Sequence, residues 1–163
     1  MTTLNELLTT SGQSATVDSF ALYRIATSHS PEGDAARRAV LDGALSLSVS
    51  AVAVSTAAAM KTCWDEDCPE RHRLGSETQV RAFCELPGVR VVPLELTDGV
   101  ATGRLYAVSS GARIEGVEVL SSCHSLLIAE EAGQPLLTSG RARYCYGDQL
   151  LDRLDRRPAL LEV

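Results

Sequence analysis

The chain has 163 residues, 45% of them hydrophobic and 22% charged, which is the length of one domain with enough apolar content to bury a core. That composition excludes disordered, collagen-like and coiled-coil classes. The balance of 15 Lys+Arg against 21 Asp+Glu, a net charge of −6, lacks the basic surplus that neutralises phosphate, so no nucleic-acid partner is expected.

Residues Thr3 to Thr10 place Leu4, Leu7 and Leu8 at helical spacing, and Ser11-Gly12 ends that helix. A second helix is predicted from Val17 to about Ser28, capped by Ser14 or Thr16, with Phe20, Ala21 and Ile25 on its apolar face. Ser30-Pro31-Glu32 is a third helix start, combining a hydroxyl cap, a proline whose missing N–H costs nothing and an acid near the positive dipole end. Ala36, Val40 and Leu41 follow, and Gly43 ends it. In residues 44–60, Leu45, Leu47 and Val49 alternate with serines as in a strand, Val52 and Val54 shift that alternation, and Ala57-Ala58-Ala59-Met60 prefers helix. One long buried helix is the expectation there. The stretch is uncharged, but it is short and rich in Ser and Ala for a membrane span, so no membrane association is expected.

Residues 61–75 are polar and irregular, and a short helix begins at Ser76, where Ser76 and Gln79 have capping-box spacing. Strands are predicted from Val89 to Leu96 and Val100 to Val108 around an Asp98-Gly99 turn, from Ile114 to Ile128, and from Gln134 to Tyr146. A short amphipathic helix with Leu150, Leu151 and Leu154 ends before Pro158. Helices followed by an antiparallel meander indicate an α+β single domain over 1–163, mainly helical in 1–60 and an antiparallel sheet in 89–146.

Gly75-Ser76-Glu77-Thr78-Gln79-Val80-Arg81-Ala82-Phe83, the Asp98-Gly99 turn, the Gly133 turn and a last strand ending in Tyr144 and Tyr146 resemble the NTF2-like, or SnoaL-like, superfamily. The resemblance covers about half the chain, from Cys63 to Tyr146, and implies helices packed on a curved antiparallel sheet that forms a cone. The alternative is a hotdog fold, because Gly133-Gln134-Pro135-Leu136-Leu137 and Gly140-Arg141-Ala142-Arg143-Tyr144 resemble the last hairpin of acyl-CoA thioesterases.

Cys63, Cys68 and His72, with Cys84, are zinc-ligand types, but their spacing is looser than that of a zinc finger, so no metal is expected. On a strand, Cys123 and His124 would point to opposite faces, leaving His124 either as a satisfied core residue or as an acid–base group on a cavity wall. Tyr144 and Tyr146 would share one face of the last strand, to hydrogen-bond a substrate carbonyl or to cap the core. Arg104 and Tyr106 would share a face of the second strand, as anion anchor and lining or as solvated surface. In NTF2-like enzymes an acid at the cavity mouth often acts as base, which implies Asp65 or Asp67 beside Trp64; a loop charge run is otherwise simply solvated. No phosphate-binding loop, dinucleotide fingerprint, HExxH or GxSxG is present.

The resulting expectation is a cofactor-free cyclase, isomerase or dehydratase acting on a small apolar molecule. His124, Tyr144, Asp65 and Asp67 would be catalytic, and Trp64, Arg104, Tyr106 and Tyr146 would bind substrate. The alternatives are a non-catalytic ligand-binding or dimerisation module and a hotdog thioesterase. With five cysteines, an odd number, and no signal-peptide pattern at the N-terminus, a reduced, cytoplasmic protein is expected, and the resembling fold implies a homodimer through its outer sheet face.

Overall fold

The computed structural model describes residues 4–28, 30–60, 76–109, 117–140, 142 and 145–163. A five-stranded sheet, wholly parallel, runs through them in the order β3-β2-β1-β4-β5. Its strands are β1 (Gln13–Val17), β2 (Leu45–Ser50), β3 (Val89–Val92), β4 (Leu136–Thr138) and β5 (Leu160–Glu162). The helices are α1 (Leu4–Thr9), α2 (Ser19–Ala26), α3 (Pro31–Leu41), α4 (Ala51–Ala59), α5 (Glu77–Cys84), α6 (Leu96–Ser109), α7 (Val117–Ala132) and α8 (Asp148–Leu151).

The sheet separates two apolar cores. Ala15, Val17, Leu45, Leu47, Val49 and Leu137 point into one core, where they meet α2 to α5 through residues such as Leu22, Ile25, Ala53 and Phe83. Leu136 points the other way, against Leu105 of α6, Cys123, Leu126 and Ala129 of α7, and Leu150 of α8. This is a parallel α/β architecture with helices on both faces of the sheet, as parallel strands require. The chain passes from β1 outward through β2 to β3, then returns to the other side of β1 as β4. The strand order therefore reverses beside β1, and crevices at such a reversal open at the carboxyl ends of the strands.

The expected α+β fold, an antiparallel NTF2-like cone with hotdog as the alternative, is overturned by this sheet. Val100 to Val108 and Ile114 to Ile128 were read as strands, yet the described parts of both lie in helices α6 and α7. The buried residues Thr102 and Leu105 are three apart, as on a helix face, whereas alternation in this segment gave a false period of two. Nearly every residue from Val119 to Ala129 is buried, so α7 shows no polar face by which a helical period is read. Val89 to Leu96 keeps only its first half as strand, and the strand from Gln134 to Tyr146 shrinks to Leu136–Thr138. The long helix expected in 44–60 is a strand followed by a helix, divided at Ser50.

The other predicted helices form, but Ser14 and Thr16, expected as caps of the second, lie in strand β1, and Asp18 caps α2 instead. The Leu4, Leu7, Leu8 helix forms as α1. Helix α3 starts as the sequence suggests, with the Ser30 hydroxyl accepting from the Gly33 N–H at 2.9 Å and Pro31 at the first helical position. Helix α5 forms after Ser76, but the Ser76 hydroxyl donates to the Ala57 carbonyl instead of capping its own helix.

Candidate functional site

Polar side chains collect where β1, β2 and β4 end. Strand β1 stops at Val17, and Asp18 follows in extended conformation as the N-cap of α2, its Oδ1 accepting from the Ala21 N–H at 2.8 Å. The Asp18 backbone N–H donates to the Leu137 carbonyl, which sets Asp18 beside Thr138 at the end of β4. Its second carboxylate oxygen accepts from the Thr138 hydroxyl at 2.6 Å and from the Tyr146 hydroxyl at 2.7 Å. All three residues are buried.

Burial pushes the Asp18 carboxyl above its ordinary range, against the pull of the Ala21 N–H and the Thr138 and Tyr146 hydroxyls. Burial and the Asp18 charge also push the Tyr146 phenol well up. The neighbouring Cys145 thiol is pushed to about 11, chiefly by burial and then by Asp18, which makes it a poor nucleophile at neutral pH.

A second pair lies at the end of β2. Ser50 N-caps α4, with its Oγ accepting from the Val52 N–H at 3.1 Å and the Ala53 N–H at 3.3 Å. His124 of α7 places Nδ1 at 2.7 Å from that Oγ. Because the Ser50 oxygen already receives two N–H groups, its own proton is directed to Nδ1, which fixes His124 as the neutral, Nε2-protonated tautomer. Burial lowers the His124 pKa, partly countered by Asp98. Among the described residues the buried hydroxyls of Ser19, Thr102, Ser121 and Ser125 have no protein partner.

The expected site residues are distributed as follows. His124 is buried on a helix, turned to Ser50, and Tyr146 is buried against Asp18. Arg104 and Tyr106 are exposed on helix α6, not on a strand lining a cavity. Tyr144, Trp64, Asp65 and Asp67 lie outside the described residues, as do Cys63, Cys68 and His72. Asp18, Ser50 and Thr138 were missed. The signal available for Asp18 was an Asp directly after the strand-like Ala15-Thr16-Val17 and three residues before Ala21, where an N-cap belongs.

A divalent cation held by protein needs several oxygen ligands with free lone pairs. Among the described residues no group of three or more His, Cys, Asp or Glu could hold a metal ion, and both Asp18 oxygens are already engaged. The described residues therefore do not fit a carboxylate-clamped metal centre. No described helix is long and apolar enough to cross a membrane.

No family model matches the sequence, and no curated protein matches it. Among solved structures it is similar to the crystal structure of VapBC2 from Rickettsia felis bound to a DNA fragment from their promoter. The identity is 10% and the TM-score 0.53, over 93% of this chain and 99% of that one. The likeness is one of fold, and it agrees with the parallel α/β sheet. The NTF2-like cyclase, isomerase or dehydratase expected from the sequence falls with the cone on which it depended, and so do the ligand module and the thioesterase of the alternative readings. The small apolar ligand expected for that cone loses its basis with it, and the expectation of no nucleic-acid partner stands against a neighbour in fold that was solved bound to DNA.

Proposed function

We propose that this chain is a nucleic-acid-directed α/β domain that acts as one member of a protein complex, in a reducing, cytoplasmic setting. The observation that carries this reading is the whole-length likeness of fold to VapBC2, whose structure contains promoter DNA. The polar cluster at the ends of β1, β2 and β4 supports it, because ligands of open parallel sheets bind outside the carboxyl ends of the strands. A net charge of −6 leaves this chain short of the cations that grip phosphate, so a basic partner would supply them. With both Asp18 oxygens engaged, and no group of three metal-ligating side chains among the described residues, the described site supports contact with nucleic acid rather than hydrolysis of it.

The test is electrophoretic retardation of labelled single-stranded RNA and duplex DNA at low salt, with and without magnesium, read also for shortened products. Retardation without shortening is the expected result. Failure to retard either nucleic acid, alone or with a short basic peptide present, would sink the reading. Shortened products that vanish in Asp18→Asn would replace binding with hydrolysis at Asp18.

A further inference from the structure

A polar recess lies away from the Asp18 cluster, towards the amino ends of the strands. In β2 the leucines at 45 and 47 face one core, so Ser46 and Ser48 face the opposite side of the sheet. Register partners share a face, and Ser14 pairs with Ser46 while Arg90 pairs with Ser48. Thr16 lies on that same face and donates to Gln134 Oε1 at 3.0 Å, which turns the Gln134 amide NH2 outward.

Ser14, Ser46, Ser48, Arg90 and Gln134 thus line one open cleft of about 270 Å³. Its floor is built into the sheet: Ser48 is buried, while Arg90 is exposed and reaches the Ser48 hydroxyl at 3.4 Å. No carboxylate lines the cleft, and Arg90 makes no ion pair among the described residues. A guanidinium fork, three hydroxyls and an amide NH2 form a donor set that matches a tetrahedral oxyanion.

We propose that this cleft binds a phosphate group, with Arg90 as its anchor and the Ser14, Ser46 and Ser48 hydroxyls and the Gln134 amide as its cradle. The site does not depend on the nucleic-acid reading above, since it uses a different end of the sheet and a small ligand. The phosphate group is the recognised chemistry, and its source is either free phosphate or a nucleotide.

Calorimetric titration of the full chain with inorganic phosphate, adenosine 5′-monophosphate and adenosine separates these sources. Phosphate and the monophosphate are expected to compete for one site, adenosine alone to give no heat, and Arg90→Met to weaken binding by about tenfold or more, the loss of a charged hydrogen-bond anchor. Arg90→Lys, which keeps the charge but not the fork, is expected to fall between wild type and Arg90→Met, with the circular dichroism of all three superimposable. Tighter binding of the monophosphate than of phosphate assigns the source to a nucleotide, and equal binding assigns it to free phosphate. The proposal is overturned if neither anion binds at about 10 mM, the weak end of specific affinities, or if Arg90→Met binds as wild type does.

Discussion

Asp18 carries opposing roles in one side chain. It caps α2 and receives two hydroxyls, yet its burial raises its pKa, so the charged form is held at a cost. Asp18→Ala removes the cap and strands two buried hydroxyls, and is expected to cost about 2–5 kcal/mol in urea unfolding. Asp18→Asn keeps an acceptor for Ala21 without the charge and is expected to cost less. The pH dependence has a definite sign: with a folded pKa above the unfolded one, the folded state takes up the proton first, so this group adds stability as pH falls through its folded pKa. The gap between wild type and Asp18→Asn should therefore widen on acidification, and a gap constant from pH 7 to the acid limit of folding would contradict the assignment. His124 acts in the opposite direction. Its folded pKa lies below the ordinary 6.5, so its contribution is present above that value and is lost as pH drops below it. Unfolding midpoints measured from pH 8 down to pH 5 are expected to fall less steeply in His124→Gln, whose side chain does not titrate.

At the scale of elements, the first turn of α3 packs closely against the end of α2. A Cβ on Gly33 would sit 2.8 Å from the Arg24 carbonyl oxygen and 3.0 Å from the Ser30 Oγ that caps the helix. Gly33→Ala is therefore expected to destabilise, although alanine is favoured over glycine inside a helix by about 1 kcal/mol. A rise in the thermal midpoint would refute that close approach. The Ser30-Pro31 start of α3 was legible because caps are local chemistry. The Leu45, Leu47, Val49 alternation was visible, since one face of β2 is apolar and its other face carries serines, but the alanine run behind it favoured one long helix and hid the strand. Helix α7 was not, because a helix enclosed by α4, α6 and the sheet buries Ser121, His124 and Ser125 along with Leu126 and so loses its polar stripe. Strand β4 was legible as a strand within Gln134 to Tyr146 but not in its bounds or its parallel pairing, because three positions buried on both faces carry no alternation at all. The candidate site was half legible for the same reason. His124 and Tyr146 drew notice as chemical types, while Asp18 and Thr138 acquire meaning only when β1 and β4 are neighbours.

At the scale of the whole molecule, the sheet joins distant stretches of chain. Asp18 and Thr138 are 120 residues apart, and the strand that completes the centre of the sheet is among the last to be made. At synthesis rates of roughly 5–20 residues per second, that separation is a delay on the order of ten seconds. Throughout it, β1 has β2 on one side and an open hydrogen-bonding edge on the other, and the Asp18 carboxylate stays in water. Docking of β4 must then close the edge and strip the carboxylate of its water in a single late event, with Thr138 and Tyr146 arriving as the hydroxyls that replace it. The Asp18 cluster is in this sense a completion signal for the polypeptide: a chain that stops before residue 136 keeps an unpaired central strand and an unsheltered charge, which marks it for aggregation or degradation before it can compete with the finished protein.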